Sequence, residues 1–132
     1  MEANAKKDPV AGAVTGVKRA TAALIRLVAS RDERVRLDAR EALLAMDPPP
    51  IGALAEALLR GKDRRVRAGV AGVVGATADA DKLRALTILG FAFRAERDAA
   101  VRQAIVDAML GMTTYFEDLA RAAATPVDGR LA

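Results

Sequence analysis

The sequence predicts an all-α fold: a right-handed α-solenoid of stacked antiparallel helix pairs, about three repeats plus an extra helix. The first observation behind this is a recurring phrase, Asp32-Glu33-Arg34-Val35-Arg36, then Asp63-Arg64-Arg65-Val66-Arg67, then Asp98-Ala99-Ala100-Val101-Arg102, with 31 and 35 residues between successive aspartates. A period in that range marks a solenoid, in which each helical pair buries its apolar face against the next. The second is that apolar residues recur at helical spacing, with no alternating run long enough for a strand. The third is composition. Hydrophobic residues make up 52% of the 132 residues but aromatics only 3%, and small side chains such as alanine let helices approach closely.

The elements follow in order. Asp8-Pro9 reads as a helix start, an aspartate cap followed by proline in the first turn. Val10, Val14, Val17, Thr21, Leu24, Ile25 and Val28 continue it to Ser30. Asp32 caps the next helix, with Val35, Ala39, Ala42, Leu43 and Met46 on one face, and Asp47 with Pro48-Pro49-Pro50 stops it. Ile51, Leu54, Ala55, Leu58 and Leu59 carry a short helix to Gly61, where a left-handed glycine is expected to end it. Asp63 starts the second phrase helix through Val66, Val70, Val73 and Val74. Asp79 or Asp81 starts another, through Leu83, Leu86, Leu89 and Phe93. Asp98 starts the third phrase helix, with Val101, Ile105, Ala108 and Met109. A separate last helix, residues 113–123, offers Tyr115, Phe116 and Leu119 as a closing apolar patch, which brings the expected count to seven. Residues 1–132 form one domain, with 1–7 and 125–132 as flexible ends.

Counted from its aspartate as zero, each phrase has apolar residues at +3, +7, +10 and +11, all within one helix face. Val35, Val66 and Val101 should accordingly be buried. The arginine at +4 sits at the edge of that face, one turn from the aspartate in the favourable acid-first order, and its stem can pack while its head stays polar. Two readings stand: the aspartate is a cap and the arginine a ladder residue between repeats, or the arginine row recognises an anionic ligand.

Composition excludes several chemistries. With no cysteine and no histidine, disulfides, thiolate or imidazole metal sites and catalysis by a His base or Cys nucleophile are ruled out. No carboxylate pair, glycine-rich phosphate loop or Ser-based triad appears, so no enzyme activity is expected, and no cofactor or metal. Residues 1–7 lack the apolar core of a signal peptide, and the most apolar stretches, 68–78 and 83–93, are shorter than the roughly 20 residues of a membrane span. A cytoplasmic protein with no membrane partner is expected.

Asp-x-x-Val-Arg with Ala, Val and Leu at these offsets resembles the HEAT repeat family, particularly its short bacterial, phycobilin-lyase-like form. Residues 51–112 carry the resemblance well, and the flanking helices carry it by periodicity alone. It implies that Asp32, Asp63 and Asp98 match the family's turn aspartate, and Arg36, Arg67 and Arg102 its arginine. It also implies that the Val-Arg helix is the second of each pair and lines the inner, concave side. The family most often scaffolds protein–protein contacts, and the fold fixes no single activity. The second copy departs from the pattern at Gly69, Gly72 and Gly75; interior glycine costs about 1 kcal/mol per site, so a locally weak helix is expected there.

Stacked in register, the phrase helices turn positions +5, +9 and +12 outward: Leu37, Glu41 and Leu44; Ala68, Gly72 and Gly75; Gln103, Asp107 and Leu110. This surface is apolar to mildly acidic, with a floor of small residues. It suits a helix or peptide of a partner protein, though Leu37, Leu44 and Leu110 could equally touch neighbouring helices. The turns entering the phrase helices gather a basic edge: Arg34, Arg36, Arg60, Lys62, Arg64, Arg65, Arg67, Arg97 and Arg102, with Arg31 and Arg94, against Asp32, Glu33, Asp63, Glu96 and Asp98. The opposite edge carries Asp47, Asp79, Asp81, Glu117 and Asp118. The leading expectation is a protein-interaction scaffold or adaptor, with weak self-association as a further possibility. The alternative is sequence-independent binding of nucleic acid or another polyanion through the basic edge, salt-sensitive and without base stacking. A chromophore lyase activity would rest on fold analogy alone.

Overall fold

Asp32, Asp63 and Asp98 each begin a helix by accepting a hydrogen bond from an amide two or three residues on: Arg34 and Val35, Arg65, and Val101. These caps set the frame of the computed structural model, which describes residues 9–77 and 82–124. The expected flexible ends, the cap at Asp8 and the starts at Asp79 or Asp81 lie outside the described residues. Within them are α1 (Pro9–Leu27), α2 (Glu33–Ala45), α3 (Ile51–Arg60), α4 (Arg64–Gly75), α5 (Lys82–Ala95) and α6 (Ala99–Ala124). No strand occurs among the described residues, and no helix is long and apolar enough to cross a membrane.

Consecutive helices pack together, α1 on α2, α3 on α4 and α5 on α6. Contacts also run from α2 to α4 to α6 and from α1 to α3 to α5. Helix α4 touches all five others, most extensively α6, and Val70, Ala71, Val73 and Val74 are fully enclosed there. The glycine-bearing helix, expected to be locally weak, lies at the centre of the core. A Cβ at Gly69 would lie 2.7 Å from the Val28 carbonyl oxygen, and one at Gly75 would lie 2.9 Å from Ala108 Cβ. Both glycines trade helix propensity for close helix approach.

Three expectations change. The third phrase helix and the separate last helix are one helix, α6, Ala99–Ala124, of 26 residues, so the described residues hold six helices rather than seven. Gly111-Met112-Thr113 contains neither proline nor a cap, and Met112 is buried, so packing carries the helix through. Gly61 ends α3 in an extended conformation, φ −61°, because the chain runs straight into the extended Asp63 cap. Of the three phrase valines only Val101 is fully buried. Val35 and Val66 are half-buried, although each is the third residue of its helix just as Val101 is, so the helices packed around the position, not its place in the phrase, set the burial.

The apolar stripe of α1 is split. Thr21, Ile25 and Val28 are buried, whereas Val10, Val14 and Val17 are exposed, as is every residue from 9 to 20. At the other end of the chain Leu119 is exposed, and Tyr115 and Phe116 are half-buried in a T-shaped contact of 5.1 Å. Phe91 is exposed, with the Arg94 guanidinium 5.1 Å from its ring.

Candidate interaction surfaces

The +4 arginines turn back to the chain that precedes them. Arg36 Nη1 donates to the carbonyls of Ser30 and Arg31, at 2.9 and 3.2 Å. Arg67 Nη1 donates to those of Gly61 and Lys62, at 2.9 and 3.2 Å. Arg102 Nη1 donates to those of Phe93 and Glu96, at 2.8 and 2.9 Å, and its guanidinium lies 3.9 Å from the Phe93 ring. In each copy the two N–H groups of one terminal nitrogen, Nη1, reach two carbonyls at once and satisfy oxygens left over at the preceding helix end or turn. The row therefore ties each turn to the helix that follows it, a structural role but a tie within one helix pair; of the three only Arg67, through Glu96, reaches the next pair as the ladder reading expects.

Arg67 makes a second tie. Its Nε and Nη2 donate to Glu96 Oε2 and Oε1 at 2.8 and 3.1 Å, with both side chains largely enclosed, 18% and 8% exposed. Glu96 Oε1 also accepts the amides of Arg97 and Asp98. The Arg67 bond, followed by these amides and against the opposing effect of burial, holds the Glu96 carboxyl below the usual range; the same bond raises Arg67. Asp98 is also held low, first by the Val101 amide and then by Arg64, whose Nη1 lies 3.4 Å from Oδ2. Arg67 is thus not one of the freely exposed charges, whereas Arg64 is 72% exposed.

Of the other turn cations, Arg34, Arg60, Lys62, Arg65 and Arg97 are exposed, and none forms an ion pair among the described residues.

The outward positions of the phrase helices divide. Ala68, Gly72, Gly75 and Asp107 line one concavity of about 520 Å³ between α2, α4 and α6, together with Ala104, Ala108 and Gly111. Nothing lies within 4 Å of a Cβ built at Gly72, so the floor is open there, while Gly75 is occupied by its contact with Ala108. Arg40 and Lys82 complete the rim. Lys82 Nζ donates to the Gly75 carbonyl at 3.0 Å, and Asp107 accepts from Gln103 at 2.8 Å. The rim is therefore of mixed charge. Leu37 and Glu41 are exposed and Leu44 half-buried, outside the concavity. Leu110 turns to another site.

That other site is an apolar groove of about 660 Å³ between α5 and α6, lined by Leu86 and Phe93 on one side and Val106, Met109, Leu110, Thr113, Phe116, Glu117 and Ala120 on the other. The sequence reading missed it by ending the third phrase helix at residue 112. The signal was present: Met109, Met112, Phe116 and Leu119 keep helical spacing with no stop between them.

Among the described residues no group of three or more acidic side chains is placed to hold a metal ion. No family model, curated protein or solved structure matches the chain.

Proposed function

We propose that the chain is a non-catalytic protein-interaction module of the HEAT type. In this reading the three helix pairs form a right-handed solenoid, and α2, α4 and α6 are its inner helices. A helix or extended segment of a partner protein lies across them, one apolar side chain entering over Gly72. The observation that carries the reading is the open floor at Gly72, in a concavity bordered by Arg40, Lys82 and Asp107. The recurring caps and arginine ties support the repeat assignment, since three copies of one local device at a near-constant period are what stacked repeats require. The partner segment carries an apolar anchor flanked by charges of both signs, matching the rim.

Gly72→Leu tests this reading. The substitution fills the dip without meeting another atom at its Cβ, so the protein keeps its fold. With the wild-type chain as bait in a host lysate, a specific partner is retained at high salt, and the Gly72→Leu bait loses it. Equal capture by both baits refutes the concavity as the binding surface.

A second reading rests on Arg34, Arg60, Lys62, Arg65 and Arg97, the exposed cations of the turns. Through them the module would hold a polyanion, with affinity falling steeply as salt rises. Capture of nucleic acid that is lost at high salt, with no protein partner retained, favours this alternative.

A further inference from the structure

Helix α1 and the α5–α6 groove complement one another, and a single molecule does not bring them together. The residues at 14, 17, 21 and 24 of α1 follow one apolar stripe, continued by Val28 just past the helix end. Its second half, with Thr21 and Val28, is buried in the protein's own core, while Val14 and Val17 are 50% and 55% exposed. A stripe of one chemistry is thus used for packing along half its length and left in water along the rest. The groove offers the reverse, a concave apolar surface including Leu86, Met109, Leu110 and Phe116.

Charge agrees with shape. Helix α1 carries Lys18, Arg19 and Arg26 and no acidic residue, and Lys18 stands one turn beyond Val14. Glu117 is the charged residue that lines the groove. It forms no ion pair among the described residues, whereas its neighbour Asp118 holds Arg121 at 2.9 Å.

We propose that the chain self-associates by placing the Val14–Val17 face of α1 from one copy into the α5–α6 groove of a second, with Lys18 beside Glu117 of that copy. This is helix-in-groove recognition with both halves supplied by one sequence. The carboxy-terminal end of α1 and the amino-terminal end of α6 both meet phrase turns. The exposed half of α1 and the groove half of α6 accordingly lie on the side away from those turns, and two copies facing through that side exchange helices reciprocally in a closed dimer. The inference is independent of the concavity over Gly72.

Sedimentation velocity on the full chain over a wide concentration range tests it. The wild type shows a monomer–dimer equilibrium. Val14→Glu/Val17→Glu and, separately, Leu110→Lys change exposed side chains, and circular dichroism melting shows both variants folded. Each dimerises at least about tenfold more weakly, as expected when an apolar anchor is lost from an interface. An equal mixture of the two restores association, because the new glutamates then face the new lysine. A wild type monomeric at every concentration overturns the proposal. So does a dimer that survives either variant, or a mixture that associates no better than its components.

Discussion

The guanidinium of Arg67 grips the Glu96 carboxylate through two bonds, at 2.8 and 3.1 Å, and so joins the turn that starts α4 to the turn that starts α6. The same guanidinium holds the carbonyls of Gly61 and Lys62. One side chain therefore fastens two successive turns, in a pocket where little water reaches either partner.

Acid should loosen this fastening. Glu96 and Asp98 both have lowered pKa values in the folded chain. Such groups contribute stability that is fully present above their unfolded values, about 4.3 for Glu and 3.9 for Asp, and lost as pH falls through the lower folded values. Melting temperature should hold above about pH 5 and drop progressively below about pH 4. Glu96→Gln should lower the melting temperature near neutral pH and flatten the acid slope; a slope identical to wild type would remove Glu96 from the account.

Charge reversal separates two arginines that the sequence places side by side. Arg65→Glu alters an exposed side chain and should shift stability by less than about 0.5 kcal/mol. Arg67→Glu sets a carboxylate against Glu96 and strips the Gly61 and Lys62 carbonyls of their donor. It should cost about 2 kcal/mol or more. Urea unfolding of both variants measures the difference.

Substituting Arg102 tests the arginine ties by geometry rather than charge. Arg102→Lys keeps the positive charge but loses the planar group that lies against Phe93 and that aims the Nη1 N–H groups at the Phe93 and Glu96 carbonyls. A loss of about 1–2 kcal/mol is expected. Equal stability of Arg102→Lys and wild type would show that charge alone suffices.

The three glycines of α4 should diverge when each is replaced by alanine. Gly72→Ala meets no atom within 4 Å and should stabilise the helix by up to about 1 kcal/mol. Gly69→Ala and Gly75→Ala press on Val28 and Ala108 and should destabilise by about 1–3 kcal/mol. Thermal melts of the three variants give the order directly, and a common sign for all three would contradict the packing described.

The sequence by itself determined what depends on neighbours a few residues away. An aspartate two or three residues before a free amide caps a helix wherever the chain later packs. Asp32, Asp63 and Asp98 were readable as caps for that reason; Arg36, Arg67 and Arg102 were readable as a recurring position but not as donors to the preceding turn. Tertiary structure decided what depends on which helix comes close. Gly69, Gly72 and Gly75 look alike in the chain, yet two press on other helices and one faces open space, because only two of them meet Val28 or Ala108. Val35 and Val101 share a position in the phrase, yet only Val101 is fully covered, since burial belongs to the surrounding helices. The groove at Leu110 and Phe116 forms where α6, whose helical spacing runs on past Gly111, meets α5; the spacing is legible in the chain, but which helix lies opposite it is not.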